Sequence, residues 1–299
     1  AATGAAAASV AATLAPVASA EPASVATESI KLVDGRRFAY SISGDPDGVP
    51  VFAFHGMGSS HLTWRTERPL AELAPGVRLI AVDRPGYGDS DDPPANYSYK
   101  QFVADVAALA DAVGAQHFSV AGHSSGGPYA LAAAALLPDR VDACAAISSD
   151  PPYNHPDVPA FVRESDDFSK PGGAGFYGLD PKDKVAKWRQ GDLKKGRPDK
   201  LHAWKQGVQG FVTDFALERL PYSFKIDDIA LGERLTFWYG GEDYPPMVLG
   251  SPWMQSMVPG SKLRRVEGGN HGFKSEPEHL RAILVELRDM ASVAARARS

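Results

Sequence analysis

Short, continuous apolar runs separated by longer amphipathic stretches set the rhythm of the chain. Residues 51–54, 79–82, 118–120, 141–147 and 235–239 are predominantly apolar runs, interrupted only by Ser119, Asp142 and Thr236. They are too short for helices, and their continuity predicts strands buried on both faces of a parallel sheet. Residues 262–266 continue the rhythm. Near the start, 30–33 and 37–42 flank the turn dipeptide Asp34-Gly35 and read as an antiparallel hairpin. Between the strands the spacing changes to that of helices. Ser98 with Gln101 three residues on has the form of a capping box, and Phe102, Val106, Leu109 and Val113 follow at helical spacing before Gly114. An Ala/Leu run from 129 to 137 predicts a buried helix, and an amphipathic helix from about residue 277 turns Leu280, Leu284, Leu287 and Val293 inward.

The rhythm breaks twice. Residues 1–28 are mostly Ala with Ser, Thr, Val and Pro, too poor in large apolar side chains to offset ordering entropy, and are expected to form a disordered or targeting tail. Ala18-Ser19-Ala20 has the form of a signal-peptidase site, which leans the expected localisation toward secretion or an organelle. From about 150 to 228 prolines and glycines punctuate the chain, with helical pieces around 182–190 and 201–220. This stretch is expected to be a cap inserted into a core formed by 29–149 and 229–299.

Composition narrows the class. With 44% hydrophobic and 22% charged residues over 299 positions, an ordinary globular core is expected. A net charge of −5 disfavours nucleic acid as a partner, because phosphate binding needs a basic footprint. No uninterrupted apolar run reaches about 18 residues, so no membrane span is expected. The single cysteine, Cys144, lies in an apolar run and is expected to be buried and inert.

The chemistry concentrates at Gly122-His123-Ser124-Ser125-Gly126, where a strand drives into a tight turn and a helix leaves it. A serine at the apex of such a turn is pushed out of the sheet toward a helix N-terminus, and small residues two before and two after it let the backbones approach. Ser124 is the candidate nucleophile. A serine needs a base to take its proton and a carboxylate to orient that base. His271, in the Gly-rich loop after 262–266, is the candidate base among eight histidines. Asp243 is the candidate acid, with Asp150 and Glu242 as alternatives.

Five short motifs in order, His55-Gly56, Asp83-Arg84-Pro85-Gly86-Tyr87-Gly88, the turn at Ser124, Gly240-Gly241-Glu242-Asp243 and Gly269-Asn270-His271-Gly272, make the chain resemble the α/β-hydrolase superfamily over roughly residues 30–290. The resemblance implies an α/β class fold, an eight-stranded mostly parallel sheet with helices on both faces and a helical cap. It implies a Ser124, Asp243, His271 triad, with oxyanion donors at the backbone N–H groups of Met57 and Ser125. His55 is expected to hold its loop, His123 to be wall or core, and Asp83 and Arg84 to form a structural turn. Relatives that open epoxides or remove halides use Asp at the turn, so Ser124 points elsewhere.

The expectation is a serine hydrolase, a carboxylesterase acting on a small-molecule ester of small or medium acyl chain. Cofactor-free perhydrolysis, carbon–carbon bond hydrolysis by the same triad and ligand binding without turnover remain alternatives. No metal and no cofactor is expected: Gly56-Met57-Gly58 lacks the later glycine of a dinucleotide fingerprint. Lys and Arg outnumber Asp between 182 and 205, which reads as a solvated helix face, with attraction of anionic substrates or membrane surfaces as the alternative. Trp64, Phe161, Phe168, Phe176, Tyr177, Trp188, Trp204 and Phe211 are candidate walls of a hydrophobic substrate pocket. The sequence leaves oligomeric state open.

Overall fold

Each apolar run is a strand, and eight strands form one sheet: β1 (Thr27–Lys31), β2 (Arg37–Gly44), β3 (Val49–Phe54), β4 (Val77–Val82), β5 (Phe118–His123), β6 (Val141–Ile147), β7 (Leu235–Gly240) and β8 (Lys262–Val266). The structure is a computed structural model that describes residues 26–165 and 181–298. The strand order is β1-β2-β4-β3-β5-β6-β7-β8. β2 is antiparallel to both its neighbours, and every other pairing is parallel. The sheet is therefore eight-stranded and mostly parallel, as the resemblance implied.

Alternation along β3 shows how the sheet divides the core. Phe52 and Phe54 face one side with Phe102, Phe118 and Tyr129. Val51 and Ala53 face the other, with Leu280, Ile283, Leu284 and Leu287. Helices cover both sides, so all seven residues of β6 are buried. A short α1 (Leu70–Leu73) precedes β4, α2 (Tyr99–Ala112) precedes β5, and α3 (Gly127–Leu136) follows it. Ser98 caps α2, its Oγ accepting the Gln101 N–H at 3.3 Å.

Between β6 and β7 lie α4 (Ala160–Glu164), α5 (Pro181–Lys195), α6 (Pro198–Ala203) and α7 (Gln209–Leu217), and after β7 come α8 (Pro245–Met257) and α9 (Pro277–Arg298). The single helix expected over 201–220 is two, because the chain turns at 204–208 with Gly207 at φ +141°. Helix α8 was not expected: Pro245 and Pro246 open it and Pro252 lies inside it, and prolines read as breakers in sequence. Val293 is 54% exposed rather than inward. The buried stripe of α9 runs through Leu287, Met290, Ala291 and Ala294, and Val293 falls off it. Strand β1 begins at Thr27, so the expected tail loses its last residues to the sheet, and residues 1–25 lie outside the described residues. Phe168, Phe176 and Tyr177 also lie outside them. Among the described residues no helix is long and apolar enough to cross a membrane.

One ion pair ties the β6–β7 segment to the sheet. Arg84, just after β4, donates through Nη1 to Asp214 Oδ1 on α7, with side chains 1% and 2% exposed. Asp214 also accepts from Tyr87 Oη at 2.5 Å and Tyr129 Oη at 2.8 Å. Taking two charges out of water is costly, and only this density of bonding offsets it. Removing one partner leaves the other buried and uncompensated. Asp214→Ala is expected to lower stability by about 3–5 kcal/mol, read from urea denaturation, whereas Asp34→Ala at the exposed Arg36 pair should change it by less than about 1 kcal/mol.

Candidate active site

Ser124 stands at the C-terminal edge of the sheet with φ +55°, a left-handed conformation that favours glycine. Holding a serine there costs on the order of 1–3 kcal/mol, so the surroundings must enforce it. They do so by close approach. A Cβ on Gly122 would overlap the Gly126 carbonyl, and one on Gly126 would overlap the carbonyls of Phe54 and His55. The turn can therefore pack directly onto the end of β3. A Cβ on Gly56 would stand 3.0 Å from that of Ser124, so the 55–58 loop lies against the serine.

Three strand ends then bring the polar side chains together. His271, in the loop after β8, places Nε2 3.0 Å from Ser124 Oγ and Nδ1 2.7 Å from Asp243 Oδ1. Asp243 follows β7 and is 0% exposed at its side chain. A carboxylate at Nδ1 fixes the proton there and leaves Nε2 as the acceptor for the serine hydroxyl. Ser148, after β6 and itself at φ +44°, donates to Asp243 Oδ2 at 2.5 Å, and the Tyr244 N–H donates to Oδ1 at 2.7 Å. Burial pushes the Asp243 carboxyl up, but hydrogen bonds from His271, Ser148 and Tyr244 outweigh it and hold the group below its ordinary range. Above the site, His123 Nε2 donates to the His271 carbonyl at 2.8 Å.

The structure thus brings Ser124, His271 and Asp243 into one chain of hydrogen bonds. It does not bring the alternative acids there. Asp150 accepts from Tyr153 Oη at 3.1 Å through Oδ1, and Glu242 is exposed with its N–H on the Gly269 carbonyl at 2.8 Å. Met57 and Ser125 line the same cavity as Ser124. His55 does hold its loop, donating from Nδ1 to the Gly56 carbonyl and accepting the Arg84 N–H at Nε2. Asp83 accepts the backbone N–H groups of His61 and Asp89, which makes it a turn former.

Sequence reasoning missed Ser148 and Glu218. Ser148 sits one residue past β6, at the strand-end edge where sites in open parallel sheets form, and that position was a readable signal. Glu218, at the end of α7, is buried beside the site, and its place depends on how the insertion folds back; no sequence signal marks it.

The cavity above Ser124 measures about 1100 Å³. The 3₁₀ turn at His61, the end of β4 and α6 also bring His61, Asp83 and His202 within 4.8 Å of one another, a donor set a cation can use. Both oxygens of Asp83 are already occupied there, by His61 Nδ1 and His202 Nε2 at 3.0 Å each besides the two backbone bonds.

A family model described as alpha/beta hydrolase fold matches residues 49–185. A non-heme chloroperoxidase from Streptomyces lividans is 39% identical over 123 residues, 40% of this chain and 43% of the relative. Epoxide hydrolase B from Mycobacterium tuberculosis (strain ATCC 25618 / H37Rv) is 37% identical over 106 residues, 35% of this chain and 30% of the relative. The chain thus matches less than half the length of these curated relatives. The crystal structure of an esterase from Rhodococcus sp. ECU1013 superposes with a TM-score of 0.63 at 20% identity, covering 89% of this chain and 98% of that one. The chain is an α/β-hydrolase-fold protein.

The depressed Asp243 carboxyl links stability to pH. A group whose folded value is lowered contributes stability above its unfolded value of 3.8 and loses it as pH falls through the folded value. The stability margin of the wild type over Asp243→Asn is therefore expected to be full at neutral pH and to shrink below pH 3.8, read as the difference in Tm across an acid titration.

Proposed function

We propose that this protein is a serine hydrolase that cleaves small-molecule carboxylic esters through an acyl-enzyme. The observation that carries the reading is the continuous Asp243–His271–Ser124 hydrogen-bond chain, 2.7 Å and 3.0 Å, opening into a cavity large enough for a small or medium acyl ester. Ser124 Oγ attacks the ester carbonyl as His271 Nε2 takes its proton. The tetrahedral oxyanion turns toward the backbone N–H groups of Met57 and Ser125, donors at the loop packed on the serine and at the turn itself. His271 returns the proton to the leaving alcohol, then draws one from the water that attacks the acyl-enzyme and passes it to Ser124 Oγ as the acyl–oxygen bond breaks and the carboxylic acid leaves. Asp243 holds the Nδ1 proton throughout and stabilises the imidazolium. Segment 150–228 acts as the cap, with Trp188, Lys200 and Phe215 among its residues that line the cavity beside the nucleophile.

Similarity to a non-heme chloroperoxidase supports perhydrolysis as a second reading, in which hydrogen peroxide replaces water at the acyl-enzyme and the product is a peracid. Peracid formation from an ester in peroxide distinguishes the two. Epoxide opening, the reaction in the name of the other relative, is disfavoured because it calls for Asp where Ser124 stands.

A fluorophosphonate probe is expected to modify Ser124, located by mass mapping, and to label His271→Ala far more slowly. Ser124→Ala is expected to lose roughly 10³-fold or more in kcat/KM on p-nitrophenyl esters. Asp243→Asn should lose a large part of that, and Asp150→Asn much less. Activity within a few fold of wild type in Ser124→Ala would overturn the assignment.

A further inference from the structure

Two lysines approach the cavity wall from distant parts of the chain, and both end on neutral groups. Lys200, on α6, lines the cavity with Ser124 and donates to the Gly58 carbonyl at 2.8 Å. Lys274, in the turn after His271 and 1% exposed, donates to the Thr63 carbonyl at 2.9 Å and to Thr63 Oγ1 at 3.3 Å, with Nζ 4.5 Å from the centre of the Trp64 ring. Among the described residues neither ammonium pairs with a carboxylate. A lysine taken out of water is ordinarily paired with an acid, so the 58–63 stretch of the wall is short of negative charge.

The acids nearby do not make up the shortfall. Asp199 accepts from Ser59 Oγ at 3.0 Å and from Arg197 Nε at 3.2 Å, and Asp192 accepts from Trp204 Nε1 at 3.0 Å. Burial pulls the Lys200 ammonium below its ordinary range; Asp192 and Asp199 oppose that, and Arg197 and Lys195 add to it. Burial likewise pulls Lys274 down to about 7, with Asp199 opposing and Arg197 and Lys200 adding. The α5–α6 side of the cavity thus sets Lys195, Arg197 and Lys200 against Asp192 and Asp199, with Lys187 exposed on the same side. The other acids of the cavity, Asp150, Glu218 and Glu242, come from the ends of β6, α7 and β7. On a chain of net charge −5, the basic stretch 182–205 therefore turns cations toward the cavity as well as toward solvent.

We infer that this wall is a subsite for a carboxylate carried by the substrate, held by Lys200. An ammonium has three donors and the Gly58 carbonyl takes one, which leaves the others for an anion. Exposed Lys187 and Lys195 draw the anion to the cavity, and half-buried Lys200 fixes it. The subsite is within reach of the chemistry: Gly56 packs on Ser124, and Gly58 lies two residues on, at most about 7 Å of extended chain. That spacing suits an ester and a carboxylate separated by a medium chain. The inference rests on the ester-hydrolase reading for its substrate but not for the binding site itself.

The test uses two series of increasing chain length. Monoethyl esters of dicarboxylic acids, against ethyl n-alkanoates of matched length, put the carboxylate on the acyl side. Butyrate esters of ω-hydroxy acids, against butyrate esters of the matched n-alcohols, put it on the alcohol side. At the best length of one series the charged ester should exceed its neutral partner in kcat/KM by about tenfold or more, the worth of one charge-assisted hydrogen bond. Lys200→Gln, which keeps a donor for the Gly58 carbonyl, should collapse that ratio toward unity, and Lys195→Gln should lower it in part. No preference for the charged ester in either series, or a loss in Lys200→Gln that is equal for charged and neutral esters, overturns the subsite. Calorimetric titration of Ser124→Ala protein with free dicarboxylates and n-alkanoates reads binding without turnover. Dicarboxylate preference there with no ester cleaved by the wild type retains the subsite and rejects the ester reading. Cleavage without carboxylate preference rejects the subsite alone.

Discussion

Everything at the sheet edge depends on one backbone constraint, a serine held at φ +55° between a buried strand and a buried helix. That conformation is unfavourable in isolation and survives because its neighbours leave no alternative. Gly122 and Gly126 admit the carbonyls of the turn and of β3 at distances that no side chain permits, while β5 is fixed by parallel pairing on both edges to β3 and β6. The strain is offset by burial of the flanking elements, and its product is a hydroxyl that points away from the sheet. From that point the remaining geometry follows: loops after β7 and β8 reach the hydroxyl because those strands end at the same edge.

The acid–base chain is reinforced from a third strand end. Ser148, also in the left-handed region, gives Asp243 a second side-chain donor, so the carboxylate is fixed at both oxygens before it meets His271. A buried carboxylate with this many donors stays ionised and keeps its orientation, which is what an imidazole needs in order to accept a proton at one nitrogen while holding one at the other. The Arg84–Asp214 pair does comparable work for the β6–β7 segment. It joins α7 to the end of β4 through fully buried charges and two tyrosine hydroxyls, and so sets where Glu218, four residues past Asp214, meets the cavity.

The central strands of the sheet were legible because a strand buried on both faces must be largely apolar, and β6 begins and ends where the pattern does, while β8, an edge strand with Lys262, Arg264 and Arg265, was legible from the rhythm of the chain. Ser124 was legible because its flanking glycines are themselves a steric requirement. Helix α8 was not, since prolines at its first turn are compatible with a helix but also mark breaks, and only the packing of Met247 and Met254 decides between them. Val293 shows a different limit on α9, where the buried stripe runs on through Met290, Ala291 and Ala294 and Val293 lies off it.

The sequence by itself determined the periodicities, and with them the strands, the strained turn and the order of the polar loops, because these depend on near neighbours along the chain. The tertiary structure decided which carboxylate meets His271: the sequence favoured Asp243 and left Glu242 and Asp150 as alternatives, and the convergence of the β6, β7 and β8 ends separates them. It also decided where Ser148 and Glu218 stand, the one against Asp243 and the other in the cavity wall. Ser148 meets Asp243 from 95 residues away in sequence, where burial and distance, not local pattern, set what a side chain can do.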